Sequence, residues 1–290
     1  MKILIIGSSG MLGSYLYKHF KELDNSVFGV SRSINNIIPS DSFSQVDFTK
    51  PFFKEDLINI KSRFDPELII NASGLTSLQA CENNPDLANF LNAEINNDLI
   101  NIFSDSKLIY LSTDSVFNGI DGNYLETDKK IPVNCYAQSK SSGEDIIMDK
   151  NNNSIVLRTN IYGKRLFGEG PSIADWAIKM FKNNENLKGF SDYFFNPLHL
   201  SQVGDAIKAL TTNMSCEGIF HIGSSEQVSK YSFLESLKEH YNDTDSIIYK
   251  TFDEMPLDGI IRPKNTTLNY NKFKKTFGIN FSLNEGIKNL

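Results

Sequence analysis

Lys2-Ile3-Leu4-Ile5-Ile6-Gly7-Ser8-Ser9-Gly10-Met11-Leu12-Gly13 is the stretch whose reading decides the fold. Lys2 to Ile6 is a short apolar run closed by glycine, which predicts a strand buried on both faces. From Met11 to Leu23 apolar residues recur at Leu12, Tyr15, Leu16, Phe20 and Leu23, the period of a helix. The three glycines fall in the turn between them. There Gly7 permits a tight bend, Gly10 lets the backbone approach a ligand, and Gly13 lets helix and strand pack closely. Ser9, Met11 and Leu12 complete the loop, whose N–H groups and helix dipole suit a pyrophosphate. The spacing is G-x-x-G-x-x-G. A glycine triplet alone is weak evidence, and its position between a first strand and a first helix is the context that gives it meaning.

Outward from this stretch the alternation continues. Strand character returns at Ser26 to Val30, at Val46-Asp47, Glu67 to Asn71, Lys107 to Leu111 and Ser154 to Arg158. Helical patterns lie between, at Lys54 to Phe64, along one long amphipathic run from Asp86 to Phe103 that Pro85 announces, and at Ser139 to Met148. This predicts an α/β fold of the Rossmann type, a doubly wound parallel sheet with helices on both faces. After Arg158 the pattern loosens: a basic loop from Gly163 to Pro171, a helix over Ile173 to Lys182 and an extended bend at Phe194 to Pro197. Helices at Val203 to Leu210 and Tyr231 to Tyr241 flank a strand at Gly218 to Ile222, and short helices at Asn271 to Phe277 and Ser282 to Leu290 finish the chain. The expected division is a dinucleotide-binding domain over 1–158, then a smaller, mainly substrate-binding lobe over 159–290, some segments of which return to the sheet.

Composition excludes several classes. At 290 residues, with 40% hydrophobic and 22% charged residues, the chain reads as an ordinary globular protein with a large core. A net charge of −6 argues against a nucleic-acid surface. No run reaches the roughly 18 apolar residues of a membrane span, so no membrane partner is expected. Cys81, Cys135 and Cys216 are too few and too scattered for a disulfide framework or a zinc site, which fits a cytoplasmic location. No pair among the four histidines has ligand spacing, and no protein-bound metal is expected.

Two sites for chemistry follow from the strand ends. At the end of the second strand an acidic residue would favour NAD by taking the ribose hydroxyls, but the chain has Ser31 and Arg32, which suit a 2′-phosphate. NADPH is therefore the expected cofactor, with NADH as a second option. Asn71-Ala72-Ser73 ends a later strand with small side chains that let a cofactor lie against the backbone. Ile109 to Asp114 ends in Ser-Thr-Asp, and Tyr136 follows with Lys140 four positions on. In a helix these two share a face, where the lysine would help the phenol exchange a proton. Tyr17/Lys21 and Tyr270/Lys274 have the same spacing, but only Tyr136/Lys140 follows such a strand end.

Together the glycine loop, Asn71-Ala72-Ser73-Gly74, Ser112-Thr113-Asp114 and Tyr136-x-x-x-Lys140 resemble the extended short-chain dehydrogenase/reductases. Cys81-Glu82-Asn83-Asn84-Pro85 with Asn92-Ala93, Asp114-Ser115-Val116-Phe117, Tyr124 to Asp128 and Arg262-Pro263 with Leu268 narrow this. Over nearly the whole length the chain resembles the dTDP-4-dehydrorhamnose reductase family. The resemblance implies NAD(P)H-dependent reduction of a 4-keto group on a nucleotide-linked 6-deoxysugar, in surface-polysaccharide precursor synthesis. It implies that Thr113, Tyr136 and Lys140 are catalytic and that Asp47 contacts adenine. Thr76, Asp114, Val116 and Arg262 are its substrate-side counterparts.

In this scheme Tyr136 donates a proton to the carbonyl oxygen, Thr113 hydrogen-bonds that oxygen, and Lys140 lowers the tyrosine pKa. Ser112, one residue earlier on the strand, is expected to point the other way. Where family members that dimerise through magnesium carry a glutamate, this chain has Tyr15, so a homodimer is left open and its metal is not expected. Ser191 to Leu198 and Asn160 to Gly163 also depart from the rhamnose enzymes, which leaves the sugar and nucleotide open. Two other readings keep the fold: an epimerase or dehydratase, for which Ser115 stands where a second acid is wanted, and a non-catalytic, cofactor-binding regulatory subunit.

Overall fold

The computed structural model describes residues 1–34, 36–150, 153–166, 172–243, 245–252 and 258–290. The expected basic loop at 163–171 thus lies partly outside the described residues. In order, the first half comprises β1 (Lys2–Ile6), α1 (Met11–Glu22), β2 (Ser26–Ser31), β3 (Phe43–Gln45), α2 (Phe53–Phe64), β4 (Leu68–Asn71), α3 (Leu78–Asn83), α4 (Pro85–Asn89), α5 (Ile95–Ile102), β5 (Lys107–Thr113), α6 (Cys135–Lys150) and β6 (Ser154–Thr159). The second half comprises β7 (Ile161–Tyr162), α7 (Ile173–Lys182), β8 (Leu187–Phe190), β9 (Phe194–Phe195), β10 (Leu198–His199), α8 (Leu200–Thr212), β11 (Gly218–His221), β12 (Val228–Ser229), α9 (Lys230–His240), β13 (Ile248–Thr251), α10 (Asn271–Phe277) and α11 (Leu283–Ile287).

Seven strands form one sheet in the order β3-β2-β1-β4-β5-β6-β11, every neighbour pair parallel. This is the expected doubly wound sheet, and the order reverses between β1 and β4, where ligands bind in such folds. Alternation along β1 sends Ile3 and Ile5 into one core layer and Leu4 and Ile6 into the other. The first layer is covered by α1, α8 and α10, and the second by α2, α5 and α6. A third cluster, with Tyr162, Ala177, Phe195, Phe233 and Leu237, is the separate core of the smaller lobe. That lobe is built from α7, α9 and short strand pairs, while β11, α8 and α10 rejoin the sheet.

Three local differences from the sequence expectation have physical causes. The long helix expected at Asp86 to Phe103 is interrupted by a π-type turn at Phe90–Glu94, which frees the Asn92 carbonyl to accept from the Tyr110 hydroxyl at 2.6 Å. α6 begins at Cys135, a turn before the expected Ser139, because Asn134 caps it by accepting from the Ala137 N–H at 2.9 Å. The third strand ends at Gln45, two residues early, and Asp47 closes a turn through the Thr49 N–H.

Candidate active site

The glycine loop is built on close approach. Gly7 has φ +84°, and a Cβ there would lie 2.7 Å from the Ser73 nitrogen. A Cβ on Gly13 would lie 2.2 Å from the Gly7 carbonyl oxygen. No side chain fits either position, and the loop therefore lies directly against the end of β4. Its fold is fixed by the Gly7 and Ser8 N–H groups donating to the Val30 carbonyl and by Gly10 N–H donating to Gly7 O at 2.9 Å. Ser9, Gly10 and Met11 stay partly open at the carboxyl edge of the sheet, while Leu12 is buried in the core under α1. This open backbone cradle fits a pyrophosphate.

The neighbouring positions are assembled around that cradle. Ser31 is buried, its hydroxyl donating to Ser33 O at 2.9 Å, and Arg32 is exposed beside it. Asp47 faces Arg32: hydrogen bonds from Thr49 hold its carboxyl below the usual range, with Lys50 and Arg32 adding to the effect. Asn71 accepts from the Ser73 N–H and hydroxyl and donates to Asn96 at 2.8 Å, so Ala72 and Ser73 are pinned against Gly7. Thr76 is exposed on a segment that Asn92 clamps, accepting from Leu75 N at 2.7 Å and donating to Leu75 O at 3.0 Å. The same Asn92 amide donates to the Ser139 hydroxyl at 2.8 Å, tying this segment to α6.

The chemistry-bearing side chains meet where β5 ends. Strand alternation sends Ser112 away from the cleft, to donate to Glu144 at 2.5 Å, and leaves Thr113 beside the Tyr136 phenol. Burial pushes Tyr136 up to about 12, and the Thr113 hydroxyl opposes that rise. Lys140 is buried, and burial draws its amine down to about 7, with Glu144 acting in the opposite direction. Its Nζ donates to Leu111 O at 2.6 Å and lies 3.9 Å from the centre of the Tyr110 ring. The lysine is engaged with the β5 backbone, and desolvation keeps the phenol protonated. A neutral phenol is the form a proton donor needs.

Asp114 is buried next to Thr113 and accepts from Thr113, Ser115, Asn160 and Thr266, the last at 2.5 Å. Val116 is fully buried in a small cluster with Phe117, Tyr124 and Leu268, so its side chain supports the loop and has no face open to a ligand. Arg262 grips Asp258 through both carboxylate oxygens, at 2.9 and 2.5 Å. The competing tyrosines lie elsewhere: Tyr17 is in the core under α1, and Tyr270 precedes α10. Asn92, Ser139, Glu144 and Arg158 were not singled out as site residues in the sequence. The spacing Lys140 to Glu144 is readable as i, i+4, but nothing local marks Arg158 as its partner. Among the described residues no cluster of metal-ligating side chains occurs, and the three cysteines are free.

A glycine cradle at the switch point of a parallel sheet, with a threonine, a tyrosine and a buried lysine beside it, defines a protein of the extended short-chain dehydrogenase/reductase type. The chain matches the RmlD substrate binding domain family over residues 1–289 and belongs to that family, to which the dTDP-4-dehydrorhamnose reductases it resembles also belong. It is 28% identical to a dTDP-4-dehydrorhamnose reductase of Aggregatibacter actinomycetemcomitans, covering 96% of this chain and 94% of that one. It is also 27% identical to methionine adenosyltransferase 2 subunit beta of Bos taurus, covering 96% and 83% respectively. The crystal structure of a dTDP-4-dehydrorhamnose reductase from Bacillus anthracis in complex with NADP superposes with a TM-score of 0.85, at 22% identity over 99% of this chain and 97% of that one.

Proposed function

We propose that this protein is an NADPH-dependent reductase of a 4-keto group on a nucleotide-linked 6-deoxysugar, acting in the cytoplasm to supply surface-polysaccharide precursors. The single observation that carries this reading is the meeting of Thr113, Tyr136 and Lys140 at the end of β5, beside the glycine cradle. The bound nicotinamide would supply the hydride to C4 of the sugar. The chain's own residues supply the rest. Tyr136 holds a proton on its phenol oxygen and releases it to the oxygen that gains charge. The Thr113 hydroxyl, which donates to Asp114 in the unliganded chain, would turn its one O–H to the same oxygen. Lys140, when protonated, adds positive charge at the base of the cleft, and its bond to Leu111 O fixes where that charge lies. Asp114, still held by Ser115, Asn160 and Thr266, stiffens the end of β5 from beneath. Arg32, exposed beside buried Ser31, favours the 2′-phosphate of NADPH over NADH.

The likeness to the B. anthracis enzyme, whose structure contains NADP, supports the cofactor, and the likeness to the A. actinomycetemcomitans reductase supports the substrate class. The second reading, a cofactor-binding regulatory subunit, is favoured by the likeness to the adenosyltransferase subunit. Incubation with NADPH and 4-keto-6-deoxy sugars carried on dTDP, UDP, GDP and CDP separates the two. Stoichiometric cofactor oxidation with one of them supports the reductase. NADPH binding without turnover across the panel supports the regulatory subunit.

A further inference from the structure

Lys230, the first residue of α9, is half-buried on the lobe wall that faces the site. Its Nζ lies 3.4 Å from the centre of the Phe195 ring, and its N–H donates to Tyr193 O at 2.9 Å. The neighbouring backbone leads straight to the catalytic strand end. Phe194 O accepts from Thr266 N–H at 3.0 Å, and the Thr266 hydroxyl donates to Asp114 at 2.5 Å. Lys230 is thereby close enough to the end of β5 for the Asp114 carboxylate to act on its charge. The Asp114 carboxylate is already taken up by four donors.

Among the described residues the Lys230 ammonium has no hydrogen-bond acceptor and no ion-pair partner, only the ring face. Arg262 and Lys264, by contrast, are held by carboxylates: Arg262 by Asp258, and Lys264 by Asp192 at 2.5 Å. A half-buried cation whose one partner among the described residues is an aromatic face lacks a counter-charge until an anion reaches it. Burial accordingly draws its ammonium down to about 8, with Asp114 pulling the other way.

We propose that Lys230 is the recognition residue for the diphosphate of the substrate. This rests on the nucleotide-sugar reading above. With the keto carbon of a pyranose against Thr113 and Tyr136, the diphosphate at C1 leaves from the opposite side of the ring, toward the lobe wall. A point-charge ammonium suits a diphosphate in either of several orientations, and the ring of Phe195 fixes the stem from below.

The test uses the full chain saturated with NADP⁺, so that nucleotides do not compete for the cofactor cradle. Titrations with dTDP, UDP, CDP and GDP, with the matching monophosphates and with inorganic pyrophosphate give the affinities. At least one diphosphate is expected to bind about tenfold or more tightly than its monophosphate. K230M and K230Q are expected to lose that preference, K230R to keep most of it, and NADP⁺ affinity to stay unchanged in all three; thermal unfolding checks that each variant is folded. Diphosphate affinity that is equal in K230M, K230Q and the unaltered protein overturns the proposal, as does failure of every diphosphate to bind. Lys230-dependent diphosphate binding with no reduction of any 4-keto sugar would instead overturn the reductase reading and leave this assignment standing.

Discussion

Glu144 and Arg158 meet as a two-point ion pair beneath the active site, Arg158 Nε to Oε1 at 2.9 Å and Nη2 to Oε2 at 2.7 Å, with both side chains 1% exposed. The pair joins α6 to β6, and the Ser112 hydroxyl adds β5 by donating to the same carboxylate. Glu144 stands one helical turn beyond Lys140, so the pair sets the position of α6, with Tyr136 and Lys140, on the sheet. Truncating Glu144 leaves the Arg158 charge buried without a carboxylate, which costs about 3–5 kcal/mol. E144A is expected to lose that much stability in urea unfolding, and E144A/R158M to recover a large part of it. A loss in the double variant equal to the sum of the single losses would contradict the pairing.

Thr113 is argued to act on the developing oxyanion and not on binding. T113V is therefore expected to lower kcat by about 10²-fold with little change in KM, and T113S to retain most of the rate. A rise in KM at constant kcat would assign Thr113 to ground-state binding instead.

Arg32 is exposed, so its replacement leaves stability nearly unaltered and reports on the cofactor alone. R32E is expected to lower kcat/KM for NADPH by at least about tenfold and to leave that for NADH within a few-fold, as loss of one charge-assisted contact requires. An unchanged NADPH-to-NADH ratio would remove Arg32 from the cofactor site.

His221 contributes to the acid limb of stability. It is fully buried: Nδ1–H donates to Tyr124 O at 3.0 Å, which leaves Nε2 to accept from Arg158 at 3.1 Å. Burial, and then Arg158, hold its pKa at about 3. The unfolded chain takes up this proton near pH ~6.5, so the stability is whole above that value and falls as the pH drops toward 3. Urea unfolding between pH 7 and 4 is expected to show a declining midpoint whose slope is reduced in H221Q. An equal slope in the two proteins would assign the decline to other groups.

Much of this was legible in the sequence because it is local. β1, α7 and α10 fall where apolar periodicity puts them, and Gly7, Gly10 and Gly13 occupy the turn that the strand-helix junction requires. What was not legible depends on partners distant in the chain. The two-residue strands β7, β9, β10 and β12 exist only through their pairings, and have no pattern long enough to read. α6 starts early because of its cap and because Glu82 of α3 accepts from the Cys135 N–H at 2.9 Å. The spacing of Tyr136 and Lys140 was visible, but the direction of their pKa shifts was not. It follows from burial. Lys230 carries no local signal, since a lysine opening a helix is ordinarily a solvated surface residue.

In the proposed reaction hydride reaches C4 of a nucleotide-linked sugar while Tyr136 delivers the proton. The most direct measurement is a single turnover with NADPH deuterated at the transferred position, followed by mass and NMR analysis of the sugar. One deuterium at C4 of the product, oxidised cofactor in equal amount, and a rate lowered by about 10²-fold or more in Y136F with NADPH affinity retained are the expected results. Deuterium retained in the cofactor with every 4-keto sugar offered, or an undiminished rate in Y136F, would contradict that reaction.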